Sequence, residues 1–225
     1  MLGSFLDLND NFVMRNPENP NGKTKIQTDS LVLPRILALG HDLVRRVLQN
    51  GELAVDATVG NGHDALFLAT LVGDGGRVWG FDVQPEALRA TQIRLSEAGL
   101  LSRFIGFEQS HAEMTMAIGA DVEGKVGAVI FNLGYLPGSD KTIITQTAST
   151  RAALEQAWRL LRLGGLMTVV VYPGHPHGDE EARAVLEWFQ KRPSDEADVV
   201  QYGFVNRKNP PPVLLAAQKT GWTPS

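Results

Sequence analysis

Beyond residue 30 the chain alternates between helical periodicity and short apolar runs. Apolar residues recur at helical spacing over 31–49 (Leu33, Ile36, Leu37, Leu43, Val44, Val47), with Ser30 as cap, Pro34 in the first turn and Asn50-Gly51 as stop. Short apolar runs then alternate with helical stretches. The runs predict strands at 53–58, 77–83, 104–109, 126–133 and 166–172, with helices over 64–72, 85–98, from about 112, over 147–163 and over 179–191. Two last strands, 199–206 and 213–218, have no helix between them. They must pair antiparallel, because a parallel crossover needs about a dozen residues or more. The pattern is that of an α/β fold: a Rossmann-like, seven-stranded sheet with helices on both faces and a C-terminal antiparallel hairpin. Residues 1–29 are rich in Asn, Asp, Pro and Gly and show no sustained period. They predict a flexible extension ahead of a single domain, 30–225.

The chemistry concentrates where strands end. Ligands of an open α/β sheet bind outside the carboxyl ends of its strands. Asp56, Asp82, Ser110 and Asn132 all fall at such ends. Between the first strand and its helix lies Gly60-Asn61-Gly62-His63-Asp64, whose glycines allow a tight turn and close passage of the backbone. Asp82 follows at about the roughly 20-residue distance of a ribose-binding acid, so a nucleoside-containing cofactor is expected. The turn also fits G-x-G-x-x-A, which keeps a nicotinamide-dependent oxidoreductase open. Against that reading, Asp56 would repel a pyrophosphate but attract a cationic sulfonium or ammonium. Asp64 suits a helix N-terminus whatever else it does. Ser110 has a second reading as a helix cap, and Gln84 and His63 as solvated turn residues.

Several longer motifs share one pattern: Asp56-Ala57-Thr58, Gly60 to Asp64, Phe81-Asp82-Val83-Gln84, Ser110-His111, Asn132-Leu133-Gly134-Tyr135-Leu136-Pro137-Gly138 and Tyr172-Pro173-Gly174-His175. In their order and spacing they resemble a class I S-adenosylmethionine (SAM) methyltransferase. More specifically, they resemble the bacterial family long labelled rRNA methylases and now understood as methyltransferases of 5-aminomethyl-uridine, with or without a 2-thio group, at the tRNA wobble position. The resemblance covers about residues 30–219. Val59 departs from it, standing where a small residue or cysteine is expected, and the N-terminal extension is longer than expected. The resemblance implies SAM as cofactor and the tRNA anticodon stem-loop as substrate. It implies cofactor contacts for Asp56, Gly60, Asn61, Gly62, His63, Asp64, Asp82, Gln84, Ser110, His111 and Asn132. Asn132-Leu133-Gly134-Tyr135 is similar to the Asn-Pro-Pro-Tyr signature of amine-directed methyltransferases, with Leu-Gly in place of Pro-Pro. The Asn132 side chain and the Leu133 carbonyl would accept from the amine, and Tyr135 would stack on the base. An aliphatic ammonium, with a pKa of about 10, must lose a proton before it attacks. His175 or His177 could take it, or desolvation could drive it off. A small-molecule methyltransferase of the same fold stays open as an alternative.

Composition narrows this little. The 225 residues carry a formal charge of −4 and no cysteine. Disulfides and thiolate chemistry are therefore excluded, and a cytoplasmic protein without a secretory leader is expected. No apolar run reaches the roughly 18 residues of a membrane span. The histidines lack a third ligand at metal spacing, so no metal is expected. RNA binding would need a local basic rim; Lys23, Lys25, Arg35, Arg45, Arg46, Lys141, Arg151, Arg207 and Lys208 are candidates. A homodimer stays open.

Overall fold

The computed structural model describes residues 32–134, 147–174, 178–208 and 211–221. The chain divides into two compact units, 1–34 and 35–225, and every element below belongs to the second. The expected extension over 1–29 and its following cap, Ser30, lie outside the described residues.

The first helix is α1 (Ile36–Val47), which begins later than the periodicity predicts. Proline disfavours the helical region for the residue before it, so Leu33 cannot extend the helix backwards. There follow β1 (Leu53–Asp56), α2 (His63–Val72), β2 (Arg77–Asp82), α3 (Pro85–Glu97) and β3 (Phe104–Glu108). Next come α4 (Met114–Ile118), β4 (Val126–Asn132), α5 (Thr147–Leu160), β5 (Leu161–Val171), α6 (Gly178–Gln190), β6 (Ala197–Tyr202) and β7 (Val213–Lys219). The sheet runs β3-β2-β1-β4-β5-β7-β6. Strands β1 to β5 are mutually parallel, and β7 lies antiparallel to both β5 and β6. The expected seven-stranded sheet and hairpin are both present.

Alternation along each strand sends neighbouring side chains to opposite faces. Val55, Phe81, Val129 and Phe131 pack with α5 and α6 through Leu154, Val185 and Phe189. Ala54, Val78, Ala128 and Ile130 pack with α1, α2 and α3 through Val44, Leu68 and Leu95. Both faces are thus covered, which explains why the central strands read as continuous apolar runs.

Two boundaries differ from expectation. Strand β5 starts at Leu161 rather than Leu166, directly after α5. Val126 pairs with Leu161 and Ala128 with Leu166, so Arg162 to Gly165 form a bulge, and Gly164 takes a positive φ of 71° there. Gly164-Gly165 therefore marks an irregular strand entry, not only a helix stop. Strand β6 ends at Tyr202, before the expected Asn206, because its pairing with β7 stops at Tyr202 opposite Leu214.

At the amino end of the sheet, the Arg162 guanidinium donates to both oxygens of Glu52 (2.7 and 3.0 Å) and to the Val47 carbonyl (3.1 Å). Glu52 also accepts from the Gln49 N–H (2.8 Å). The end of α1, the entry to β1 and the bulge of β5 are joined at this one point.

Candidate active site

At the opposite rim, β1 ends in Asp56 and β2 in Asp82, with the glycine turn between them. Gly60 and Gly62 both have positive φ, 51° and 76°. A Cβ on Gly62 would lie 2.5 Å from Thr91 Oγ1 and 2.9 Å from its Cα. The close approach at Gly62 is therefore to helix α3, which holds the turn in place. Thr91 Oγ1 donates to the Gly60 carbonyl (3.3 Å) and Arg94 Nε to the Asn61 carbonyl (2.8 Å). Asn61 and His63 side chains are exposed on this turn.

Asp82 is half-buried and ringed by backbone N–H groups: Gly60 donates to Oδ2 and Gln84 to Oδ1, both at 2.9 Å, with the Val83 N–H beside them. Burial raises its pKa above the usual range, against the pull of these N–H groups. A carboxylate accepts about four hydrogen bonds, so with the Gly60, Gln84 and Val83 N–H groups around it Asp82 still keeps acceptor capacity for a diol. Gln84 stands at the start of α3, with its side chain making no cap bond there.

Asp56 is fully buried. The Thr58 N–H donates to its Oδ1 (3.1 Å), while Oδ2 makes no hydrogen bond among the described residues. Burial, then the nearby charges of Asp64 and Asp82, push its pKa well up, against the pull of the Thr58 and Ala65 N–H groups. Asp64, in the first turn of α2, is also buried, and its Oδ1 lies 2.6 Å from His41 Nε2 of α1. An orphaned buried oxygen beside a second buried acid is costly when empty. It suits a cation, and a SAM ammonium fits it.

This arrangement has a measurable cost. A raised carboxyl pKa means that the folded state holds the proton more tightly than the unfolded chain does. Asp56 therefore destabilises the fold increasingly as pH rises above its ordinary value of 3.8. Asp56→Asn removes the charge and keeps an acceptor for Thr58. In thermal melts without ligand at pH 7, the variant should gain about 1–2 kcal/mol, or roughly 2–8 °C. The gain should shrink as pH falls towards 4. A lower melting temperature at pH 7 would show that the charge is satisfied in the empty protein.

Ser110 Oγ accepts from the Ala112 N–H (3.2 Å) and caps the 3-10 turn of residues 111–113. His111 is buried, with Nδ1 3.1 Å from the Ala57 carbonyl and the ring edge-on to Phe131. Burial lowers its pKa, so the imidazole is neutral at pH 7.

Strand β4 delivers Asn132 to the same rim, its N–H donating to Thr58 Oγ1 (2.7 Å). The Leu133 side chain is buried, and its N–H donates to the Val170 carbonyl (2.9 Å). Gly134 takes φ 141°, and a Cβ there would touch the Tyr172 ring at 3.7 Å. Burial and the Asp64 charge raise the Tyr172 pKa, while the Asn132 side chain pulls it down, so the phenol stays protonated. Tyr135, His175 and His177 lie outside the described residues. Beyond Pro173 opens a groove of about 480 Å³ lined by Phe204, Val205 and Pro211. Arg207 sits 5.2 Å over the Phe204 ring beside it.

Two residues at this rim carried no role in the sequence reading. Tyr172 stood inside a motif without one, and its position at the end of β5 was the available signal. His41 gave none, being one polar position on an amphipathic helix. Of the basic candidates, Arg45 pairs with Asp42 and Arg151 with Glu187. Among the described residues, no helix is long and apolar enough to cross a membrane. Among the same residues, no group of three or more His, Asp or Glu is placed to hold a metal ion.

The strand order, the reversed β7 and the acids around the glycine turn define a class I SAM-dependent methyltransferase. The family described as "Putative rRNA methylase" matches residues 78–218. A chloroplastic tRNA (mnm(5)s(2)U34)-methyltransferase of Arabidopsis thaliana is 34% identical over 79% of this chain and 67% of its own length. The crystal structure of a "putative rRNA-methylase" from Clostridium thermocellum is 39% identical, covering 84% of this chain and 100% of that one, with a TM-score of 0.80. A "putative methyltransferase" from Streptococcus mutans, solved with SAH, is 33% identical over 84% of this chain and 99% of its own, with a TM-score of 0.75. The chain belongs to this rRNA methylase family.

Proposed function

We infer that the protein methylates the aminomethyl nitrogen of 5-aminomethyl-uridine, with or without a 2-thio group, at the tRNA wobble position. The observation that carries this is Asn132 at the carboxyl end of β4, beside Tyr172 and the open backbone of Gly134. It stands in a chain 34% identical to a methyltransferase named for that tRNA position. Bound SAM supplies an electrophilic methyl group on a sulfonium. The chain's own residues do the rest. Asp82 offers its remaining acceptor capacity to the ribose hydroxyls, and Asp56 with Asp64 faces the amino-acid end. The Asn132 side-chain oxygen and the Leu133 carbonyl accept hydrogen bonds from the amine, which orients its lone pair. The neutral Tyr172 phenol adds a polar atom without a competing charge. The groove beyond Pro173, with Arg207 over Phe204, suits a stacked nucleotide and its phosphate. Asn61, His63, Gln84, Ser110 and His111 keep their proposed cofactor contacts. Tyr135 as base-stacking partner and His175 as proton acceptor rest on the resemblance alone.

Nucleoside mass spectrometry tests this directly. Bulk tRNA carrying 5-aminomethyl-uridine, incubated with the protein and SAM, should yield 5-methylaminomethyl-uridine. Unchanged tRNA together with methylated rRNA, or with a methylated metabolite pool, would overturn the substrate assignment.

A further inference from the structure

His41 belongs to α1, outside every motif at the glycine turn, yet it makes the most direct side-chain contact with that turn's acids. Its Nε2 lies 2.6 Å from Asp64 Oδ1. Its ring stacks on Phe67 with centroids 3.9 Å apart and planes 9° from parallel. Asp64 and Phe67 stand three residues apart on α2, so one helix face presents both a carboxylate and an aromatic ring to the same imidazole. The stack sets the ring plane, and the hydrogen bond sets the carboxylate rotamer. Arg45 lies over the same Phe67 ring, 5.3 Å from its centroid. Asp64 is buried and Asp56 beside it has an oxygen with no partner among the described residues. The unpartnered Asp56 oxygen, with the buried Asp64 carboxylate beside it, suits a cation.

We propose that His41 is a positioning residue for the amino-acid end of the cofactor: by donating to Asp64 Oδ1 it holds the carboxylate so that its other oxygen, with Asp56, receives the ammonium. The proposal rests on the ammonium reading of Asp56 and Asp64, and is independent of which substrate is methylated. A mere clamp between α1 and α2 would support every ligand of the site alike. A positioning role would act only on ligands that carry the amino-acid group.

Calorimetric titration with S-adenosylhomocysteine and with 5′-methylthioadenosine, which lacks that group, separates the two. His41→Phe keeps a ring to stack on Phe67 but has no donor. It should bind S-adenosylhomocysteine roughly tenfold or more weaker than the wild type and 5′-methylthioadenosine within about twofold. His41→Gln keeps a donor and should recover most of the loss. Binding of 5′-methylthioadenosine by each variant also reports that its site is folded. Equal losses for both ligands, or no loss in His41→Phe, would overturn the proposal. A wild type that binds both ligands equally would remove the ammonium role of Asp56 and Asp64, and that of His41 with it.

Discussion

Asp82→Ala should bind S-adenosylhomocysteine at least about a hundredfold more weakly than the wild type, measured by calorimetry. Two effects add. Hydrogen bonds from a diol to a charged carboxylate are worth about 1.5–3 kcal/mol each, and two are lost. The Gly60 and Gln84 N–H groups also lose their acceptor, so the turn is left with the Val59 N–H to Phe81 carbonyl bond as a tie to β2. Asp82→Asn separates these effects. Its single carbonyl oxygen can serve one of the two N–H groups, and it removes the charge. It should fall between alanine and wild type. Unchanged affinity in Asp82→Ala would remove the ribose role of this acid.

Asn132→Ala should reverse that profile. Turnover should drop by about 10²–10⁴, the range that misorientation of a reacting group can cost, while S-adenosylhomocysteine affinity stays within about threefold. The scaffold should survive, because the contacts that fix this position are backbone ones. The Asn132 N–H reaches Thr58 Oγ1, and β4 stays paired with β5 through Val170. The amide itself interacts with Tyr172 at the rim. Single-turnover transfer of labelled methyl to tRNA would measure the step. A rate within about threefold of wild type would exclude Asn132 from orienting the amine.

Much of this rim was readable from the chain because its acids sit inside or beside strands. Short apolar runs locate strand ends, and strand ends in an α/β sheet meet at one edge; Asp56, Asp82 and Asn132 were found that way. The hairpin followed from a missing helix. What escaped depended on contacts between distant segments. His41 and Asp64 are 23 residues apart, and nothing local separates His41 from any solvated helix residue. The early start of β5 escaped because Gly164-Gly165 ends a helix and permits a bulge equally well, and only pairing with Val126 decides between them. In sequence Ser110 reads as either a cofactor contact or a helix cap, and Gly62 as a ligand contact; their visible contacts are a cap and a fit against Thr91. Short polar residues and glycines serve both purposes, so spacing alone could not rank them.

The ion pair between Arg162 and Glu52 joins segments 110 residues apart in the chain. It acts as a keystone on the side of the molecule away from the candidate site. That tie lies at the rim opposite Asp56, Asp64 and Asp82, so it joins the fold without drawing on the acids of the candidate site. Variation around the reactive cleft can then retune chemistry without first dismantling the architecture.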